Sequence, residues 1–92
     1  MLVSVIIPCR NEERYIGECL DSIINQDYPK ENLEVLIVDG ASSDKTKEIV
    51  REYSSKHSFI KLLENPNKFT PFGLNVGIKK AEGEFIVRMD AH

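Results

Sequence analysis

The chain has 92 residues, of which 41% are hydrophobic and 29% are charged, and its formal net charge is -3. A length near the lower end of the range for independent folding allows one domain at most, and a net negative charge lacks the basic footprint of nucleic-acid-binding proteins. The sequence contains neither an apolar run of the roughly 20 residues that span a bilayer nor a signal peptide, so we expect a cytoplasmic protein with no nucleic-acid partner.

The first half of the chain predicts two strand–helix units. The first strand is "VSVIIP", a β-branched apolar run typical of a strand buried on both faces. A helix is predicted from about Glu12 to Gln26, with Asn11 as its N-cap. The second buried strand is "EVLIVD", and Asp44 is the candidate N-cap of the helix that follows it.

A third helix is predicted in the second half. Thr70 as N-cap, Pro71 at the first helical position and Gly83 just past the end frame this helix. Gly73 and Gly77 lie inside it and weaken it, so they indicate a close approach to a neighbour or a ligand.

Two further strands flank this third helix. "FIKLLE" precedes it, with a more polar pattern typical of a sheet edge, and "EFIVRM" follows it. The order β-α-β-α-β-α-β with short connections predicts an α/β protein with a Rossmann-like parallel sheet. If the fourth strand returns beside the first, the strand order is 3-2-1-4, and ligands are expected at the switch point between strands one and four.

Polar residues follow the carboxyl ends of the predicted strands, which meet at one rim. They are Pro8 to Glu12, Asp39 to Asp44, and Asp90 with His92. The turn after strand one reads "PCRNEE" and has no glycine, so the dinucleotide fingerprint is missing, and no P-loop sequence occurs either. The sequence therefore disfavours an NAD-dependent oxidoreductase and a P-loop enzyme.

An acidic rim can still bind a nucleotide. Carboxylates accept hydrogen bonds from base N–H and ribose hydroxyl groups, while a divalent cation offsets the diphosphate charge. Asp39 and Asp44 suit the first task, and Asp90 with His92 suits the second, with Mg or Mn as the metal. Simpler interpretations stand beside these: Asp44 as a helix cap alone, Glu12 as compensation of a helix dipole, and Asp90 with His92 as a solvated chain end.

The chain resembles the N-terminal nucleotide-binding half of the family 2 glycosyltransferases, which are inverting enzymes with the GT-A fold. The resemblance covers the whole chain and rests on three stretches in order, "VSVIIPCRNEERYIGECLDSIINQDYP", "EVLIVDGASSDKT" and "GLNVGIKKAEGEFIVRMDAH". The forms "VDGASSD" and "RMDAH" are most similar to the bacterial exopolysaccharide branch, the succinoglycan-type enzymes.

This resemblance implies a nucleotide-sugar donor. Pro8 to Glu12 would line the nucleoside pocket, Asp39 would hydrogen-bond the base, which is uracil in many members, and Asp44 would lie near the ribose. The sequence departs from many relatives at Arg10, where they carry an aromatic residue, and at Leu74, where they carry an arginine. Base identity and diphosphate contacts are the features that these departures put in question.

The resemblance also implies a metal corner. Asp90 matches the first acid of the family's D-x-D motif, and His92 takes the place of its last acid. Whether His92 binds the metal, binds the diphosphate or does neither stays open. The divalent metal would be Mn or Mg.

The family's general base and acceptor-binding region follow the D-x-D motif. We therefore assign no catalytic residue within residues 1–92, which would form the donor-binding half of a GT-A domain. The parent enzyme would transfer a sugar to a polysaccharide or lipid-linked acceptor, in the cytoplasm or at the inner face of the membrane. The alternative is a non-catalytic nucleotide-binding or interaction module. In the full family fold further strands continue the sheet beyond the fourth, so in residues 1–92 alone "EFIVRM" would be an exposed apolar edge, which predicts a symmetric homodimer.

Overall fold

A computed structural model describes residues 1–67 and 70–91. Strands and helices alternate in it as β1 (Val3–Cys9), α1 (Ile16–Ile24), β2 (Leu33–Asp39), α2 (Thr46–Lys56), β3 (Ile60–Glu64), α3 (Thr70–Lys80) and β4 (Phe85–Arg88). A 3-10 turn, Lys30–Asn32, leads into β2. Among the helices of the described residues, none combines the length and the apolar character needed to cross a bilayer.

The four strands form one parallel sheet in the order β3-β2-β1-β4. This order confirms the prediction from the sequence. Val5 of β1 pairs with Val35 on one side and with Val87 on the other. Because β4 returns beside β1, the direction of the connections reverses there, and the switch point lies between these two strands.

Helices cover both faces of the sheet, which explains why β1 and β2 read as nearly continuous apolar runs. On one face, α1 and α2 pack against alternate residues of the strands, with Val5, Ile7, Leu20, Val35 and Val50 in one buried cluster. On the other face, α3 packs against Ile6, Leu36 and Val38. The alternation along each strand therefore divides the core into two layers.

The α3 glycines lie against the sheet, as the sequence predicted. A Cβ added to Gly77 would meet the side chain of Ile6, and one added to Gly73 would lie 3.5 Å from the Cβ of Pro8. The neighbour that requires glycine at position 77 is therefore strand β1.

The α1 prediction is wrong at its start. The helix begins at Ile16 rather than at Glu12, and its N-cap position is Tyr15 rather than Asn11. Asn11 has a φ of 55°, in the left-handed region that asparagine tolerates better than most residues. Its side chain hydrogen-bonds to the loop after β2 instead, so the chain makes a turn before the helix starts.

Strand β4 lies at an edge of the sheet and is solvent-exposed along its whole length. Phe85, Ile86 and Val87 are each about half-exposed. Beside β4, an apolar groove of about 440 Å³ opens towards α1. The predicted apolar edge is therefore present in the part of the chain that the structure describes.

Candidate functional site

The carboxyl ends of the four parallel strands meet at one rim, and backbone hydrogen bonds hold their ends together there. The N–H of Gly40 donates to the Cys9 carbonyl at 2.8 Å, and that of Asn65 donates to the Asp39 carbonyl at 2.7 Å. The N–H of Met89 donates to the Ile6 carbonyl at 3.0 Å.

The described residues that the sequence predicted for a site lie at or just past these carboxyl ends. They are Pro8, Arg10, Glu12, Asp39, Asp44 and Asp90. His92, the other predicted metal ligand, lies outside the described residues.

Asp39 is completely buried at the end of β2, with an exposure of 0%. Both carboxylate oxygens accept hydrogen bonds from Ser42, Oδ2 from its N–H at 2.9 Å and Oδ1 from its hydroxyl at 2.5 Å. These bonds offset the cost of burying the charge. Asp39 thus has a structural role in its own loop that was not evident in the sequence, whatever else it binds.

The loop after β1 and the loop after β2 are joined through Asn11. Its N–H donates to Ser42 Oγ at 2.9 Å, and its side-chain Oδ1 accepts the N–H of Ser43 at 2.8 Å. Asn11 and Ala41, with φ of 55° and 57°, are the non-glycine residues in the left-handed region among those described. Such conformations persist where surrounding contacts determine them, so the two loops fix each other.

Asp44 joins the same two loops at a second point. Its Oδ1 accepts the N–H and the hydroxyl of Thr46, at 2.9 Å and 2.5 Å, and its Oδ2 accepts the N–H of Glu13 at 3.2 Å. The N-cap position of α2 is Lys45 and not Asp44 as predicted, but Asp44 satisfies the first N–H of the helix. Helix ends differ by a residue between criteria, so the predicted capping function holds while its position shifts by one.

The hydrogen bonds to Asp44 also change its acidity. Burial alone would raise the pKa of this carboxyl group, but the hydrogen bonds from Thr46 and from the Glu13 N–H outweigh it and lower the pKa. Asp44 is therefore held in the charged form. Thr46 extends the network, because its hydroxyl accepts the N–H of Glu12 at 2.9 Å.

The acids of the rim act together with burial on a neighbouring thiol. Burial, followed by the charges of Asp39, Glu12 and Asp44, raises the pKa of Cys9 to about 12. A field of this sign favours hydrogen-bond donors and cations. It disfavours an anion that arrives without a metal.

Asp90 differs from the other acids because its side chain is 71% exposed. Its Oδ1 lies 3.3 Å from Nη2 of Arg88, the last residue of β4. The described residues include no group of three or more metal-ligating side chains. Asp90 could contribute one oxygen ligand, and further ligands would have to come from elsewhere.

Sequence reasoning did not identify Ser42, Asn11 and Thr46 as residues that order the rim. The available signal was the run of small polar residues in "GASSDKT", since serine, threonine and asparagine side chains bond to nearby backbone groups in loops. That signal did not indicate the partner loop.

The family model described as "Glycosyl transferase family 2" matches residues 4–92. Over 92 residues the chain is 48% identical to a dolichyl N-acetyl-alpha-D-glucosaminyl phosphate 3-beta-D-2,3-diacetamido-2,3-dideoxy-beta-D-glucuronosyltransferase of Methanococcus voltae, covering 98% of this chain and 29% of that protein. It is 41% identical to the poly(ribitol-phosphate) beta-N-acetylglucosaminyltransferase TarS of Staphylococcus aureus, covering 99% of this chain and 16% of that protein.

Solved structures agree with these relatives. The structure of S. aureus TarS 1-349 in complex with UDP-GlcNAc superposes with a TM-score of 0.87 at 40% identity, covering 99% of this chain and 26% of that one. The mannosyltransferase PcManGT from Pyrobaculum calidifontis, in complex with GDP-Man and Mn2+, gives a TM-score of 0.89 at 40% identity, covering 97% and 27%. The chain thus spans less than a third of the length of each of these four proteins.

Proposed function

The chain belongs to glycosyl transferase family 2, and on that premise we propose that residues 1–92 form the nucleotide-sugar-binding half of a GT-A domain. The enzyme of which it is part is inverting and metal-dependent. It transfers a sugar from a nucleotide-diphospho-sugar to a polysaccharide or lipid-linked acceptor, and an exopolysaccharide is the polymer that the sequence motifs favour.

One observation carries this proposal. The loops after β1 and β2 are fixed to each other, and Asp39 and Asp44 lie in the second of them, at the carboxyl-end rim on which open α/β proteins bind ligands. The two structures described above, with the same fold and about 40% identity, carry UDP-GlcNAc or GDP-Man. A nucleoside diphosphate is therefore the ligand class that best fits this rim, and a UDP-sugar is the donor we propose.

Within the rim, we propose that different acids contact the base and the ribose of the nucleoside. Asp39 accepts an N–H of the base and Asp44 lies near the ribose, while Pro8, Arg10 and Glu12 line the pocket. Because Asp39 is 0% exposed, a base that contacts it must displace the atoms that cover it. The remaining acceptor capacity of the carboxylate allows this contact, since each oxygen has more than one lone pair.

Asp90 and His92 are the residues we propose for the metal, which is Mn or Mg. The exposed carboxylate of Asp90 fits this role, because such ions are often held by one or two carboxylates with the substrate's phosphates supplying other ligands. When bound, the metal offsets the negative charge of the leaving diphosphate. The contact between Arg88 and Asp90 must open for this to happen.

The chain's own residues bind and orient the donor, and the acceptor chemistry belongs to the remainder of the enzyme. There a base removes the proton of an acceptor hydroxyl, whose oxygen attacks the anomeric carbon as the nucleoside diphosphate leaves. Residues 1–92 alone are expected to give no transfer. We propose the cytoplasm or the inner face of the membrane as the place of the reaction.

The exposed edge of β4 favours a second candidate, a non-catalytic binding or interaction module. Three consecutive half-exposed apolar residues and unpaired backbone groups suit strand addition by another chain. We propose a second copy as that partner, giving a symmetric homodimer through β4.

Calorimetric titration with UDP and with NADH, each with and without Mn, tests the proposed function. We expect UDP to bind more tightly than NADH and to bind best with Mn. Tighter binding of NADH would overturn the glycosyltransferase assignment of this site.

A further inference from the structure

Ser42 connects the Asp39 carboxylate to the loop after β1. Its hydroxyl donates to Asp39 Oδ1 at 2.5 Å and accepts the N–H of Asn11 at 2.9 Å. Its own N–H donates to Asp39 Oδ2 at 2.9 Å. A serine hydroxyl has one proton to donate, so the single donor of this side chain is committed to the buried acid.

This arrangement fixes the orientation of the carboxylate. Two donors from one residue hold the two oxygens of Asp39, which restrains the rotation of the carboxylate plane about its χ2 bond. Each oxygen keeps a further acceptor direction, so Asp39 can accept an N–H from a base without releasing Ser42. If the hydroxyl were lost, Oδ1 would keep, among the hydrogen bonds of the described residues, only the weak contact from Cys9 Sγ at 3.9 Å.

The same hydroxyl also supports the loop after β1, on the other side of the rim from Asp39. It accepts the N–H of Asn11, whose φ is 55°, and this conformation places Asn11 Oδ1 on the N–H of Ser43 at 2.8 Å. The loop after β1 therefore depends on the side chain that holds Asp39. A change at Ser42 should therefore disturb both Asp39 and the loop after β1.

We infer that Ser42 is a positioning residue for nucleoside recognition, whose hydroxyl holds Asp39 and the loop after β1 in the arrangement that accepts a base. This inference rests on the proposed function. Ser42 acts through Asp39, so its hydroxyl sets the affinity for the nucleoside and the selectivity between bases without contacting the nucleotide.

The test compares Ser42→Ala, Ser42→Thr and the control Ser55→Ala in calorimetric titrations with UDP and GDP, with thermal melting to establish that each variant is folded. Ser42→Ala should bind UDP about tenfold more weakly, the usual scale for a lost hydrogen bond to a charged group, and should discriminate less between UDP and GDP. Ser42→Thr keeps the hydroxyl and should restore both properties. Ser55→Ala removes a hydroxyl that donates to the Glu52 carbonyl within α2, outside the rim, and should match the wild type.

If Ser42→Ala does not fold, Ser42→Cys replaces it, because a thiol keeps the shape but donates weakly, and the same losses are expected. Wild-type affinity and selectivity in the Ala or Cys variant, or failure of Ser42→Thr to restore them, would overturn the inference and leave the proposed function intact. Absence of binding of UDP and GDP to the wild type would refute the proposed function, and the inference with it.

Discussion

Gly77 of α3 lies so close to Ile6 of β1 that a Cβ on the glycine would stand 2.5 Å from Ile6 Cγ2. Ile6 is completely buried, and its Cδ1 and Cγ1 would also lie within 3.2 Å of that Cβ. This close packing brings the backbone of α3 directly against the sheet. Because α3 leads the chain to β4 and then to Asp90, this packing also affects the position of the proposed metal ligand.

Gly77→Ala should destabilise the protein. Overpacking a core typically costs about 1–3 kcal/mol, and the better helix propensity of alanine returns about 1 kcal/mol, so we expect a net loss of up to about 2 kcal/mol. Urea unfolding measures this loss. Gly17→Ala is the control, because its Cβ would meet Tyr53 Oη at an ordinary 3.5 Å, and it should leave the free energy of unfolding equal or slightly higher. A Gly77→Ala variant as stable as Gly17→Ala would contradict the packing.

Glu34 should make stability depend on pH. It is 5% exposed, and its Oε2 accepts the Ser4 hydroxyl at 2.6 Å and the Glu82 N–H at 2.7 Å. Burial would raise its pKa, but the bonds from Ser4 and Glu82 and the charge of Lys61 outweigh burial and lower it. A lowered folded-state pKa adds stability above the unfolded-state pKa, and this stability is lost as pH falls through the folded-state pKa.

We therefore expect Glu34→Gln to lower the free energy of unfolding by about 1–3 kcal/mol near neutral pH, because the amide replaces a charged acceptor. The difference from the wild type should shrink as pH falls below about 4, where the unfolded-state glutamates also become protonated. Urea unfolding over a range of pH measures it. Glu52→Gln, at an exposed position on α2, serves as the control, and a pH-independent difference for Glu34→Gln would refute this explanation.

Ala41→Gly should stabilise the loop after β2. Ala41 has a φ of 57°, which costs a non-glycine residue about 1–2 kcal/mol, while glycine loses about 0.5–1 kcal/mol more backbone entropy on folding. The expected net gain is up to about 1.5 kcal/mol, measured by thermal or urea unfolding. Ala81→Gly lacks the positive φ and should lose stability, so a loss in both variants would argue against strain at position 41.

Ile86→Lys should abolish the proposed dimer. A lysine on an edge strand disfavours strand pairing, so sedimentation equilibrium should show a monomer where the wild type shows a dimer. Ile78→Lys on α3 is the matched control, because Ile78 and Ile86 are exposed to nearly the same extent, 45% and 46%. A monomeric wild type at high concentration would rule out association through β4.

Local patterns were enough to predict the sheet and its strand order. The runs "VSVIIP" and "EVLIVD" are apolar because both faces of β1 and β2 are covered, and short connections between strands and helices leave few topologies. The exposed edge at β4 was also predictable, since a fourth strand beside the first ends the sheet on that side.

Tertiary contacts decided the details of the rim. Asn11 looked like a helix cap because its residue type and position suit one, but its partner Ser43 lies 32 residues away in another loop. The hydrogen bonds from Ser42 to Asp39 likewise form across Ala41, whose left-handed conformation no local propensity of alanine favours. The sequence therefore predicted which acids gather at the rim, and missed the hydrogen bonds that hold them there.

The most direct test of the nucleotide site is an ¹H–¹⁵N correlation spectrum of the protein titrated with UDP and Mg, repeated with trace Mn. We predict shifts of the amides in residues 9–13 and 39–46, with Mn-induced broadening strongest around Asp90 and absent in Asp90→Asn. Asp27→Asn, which removes an acid in the connection between α1 and β2, should behave like the wild type. Shifts confined to the groove between α1 and β4, or a spectrum unchanged by UDP, would contradict the proposed site.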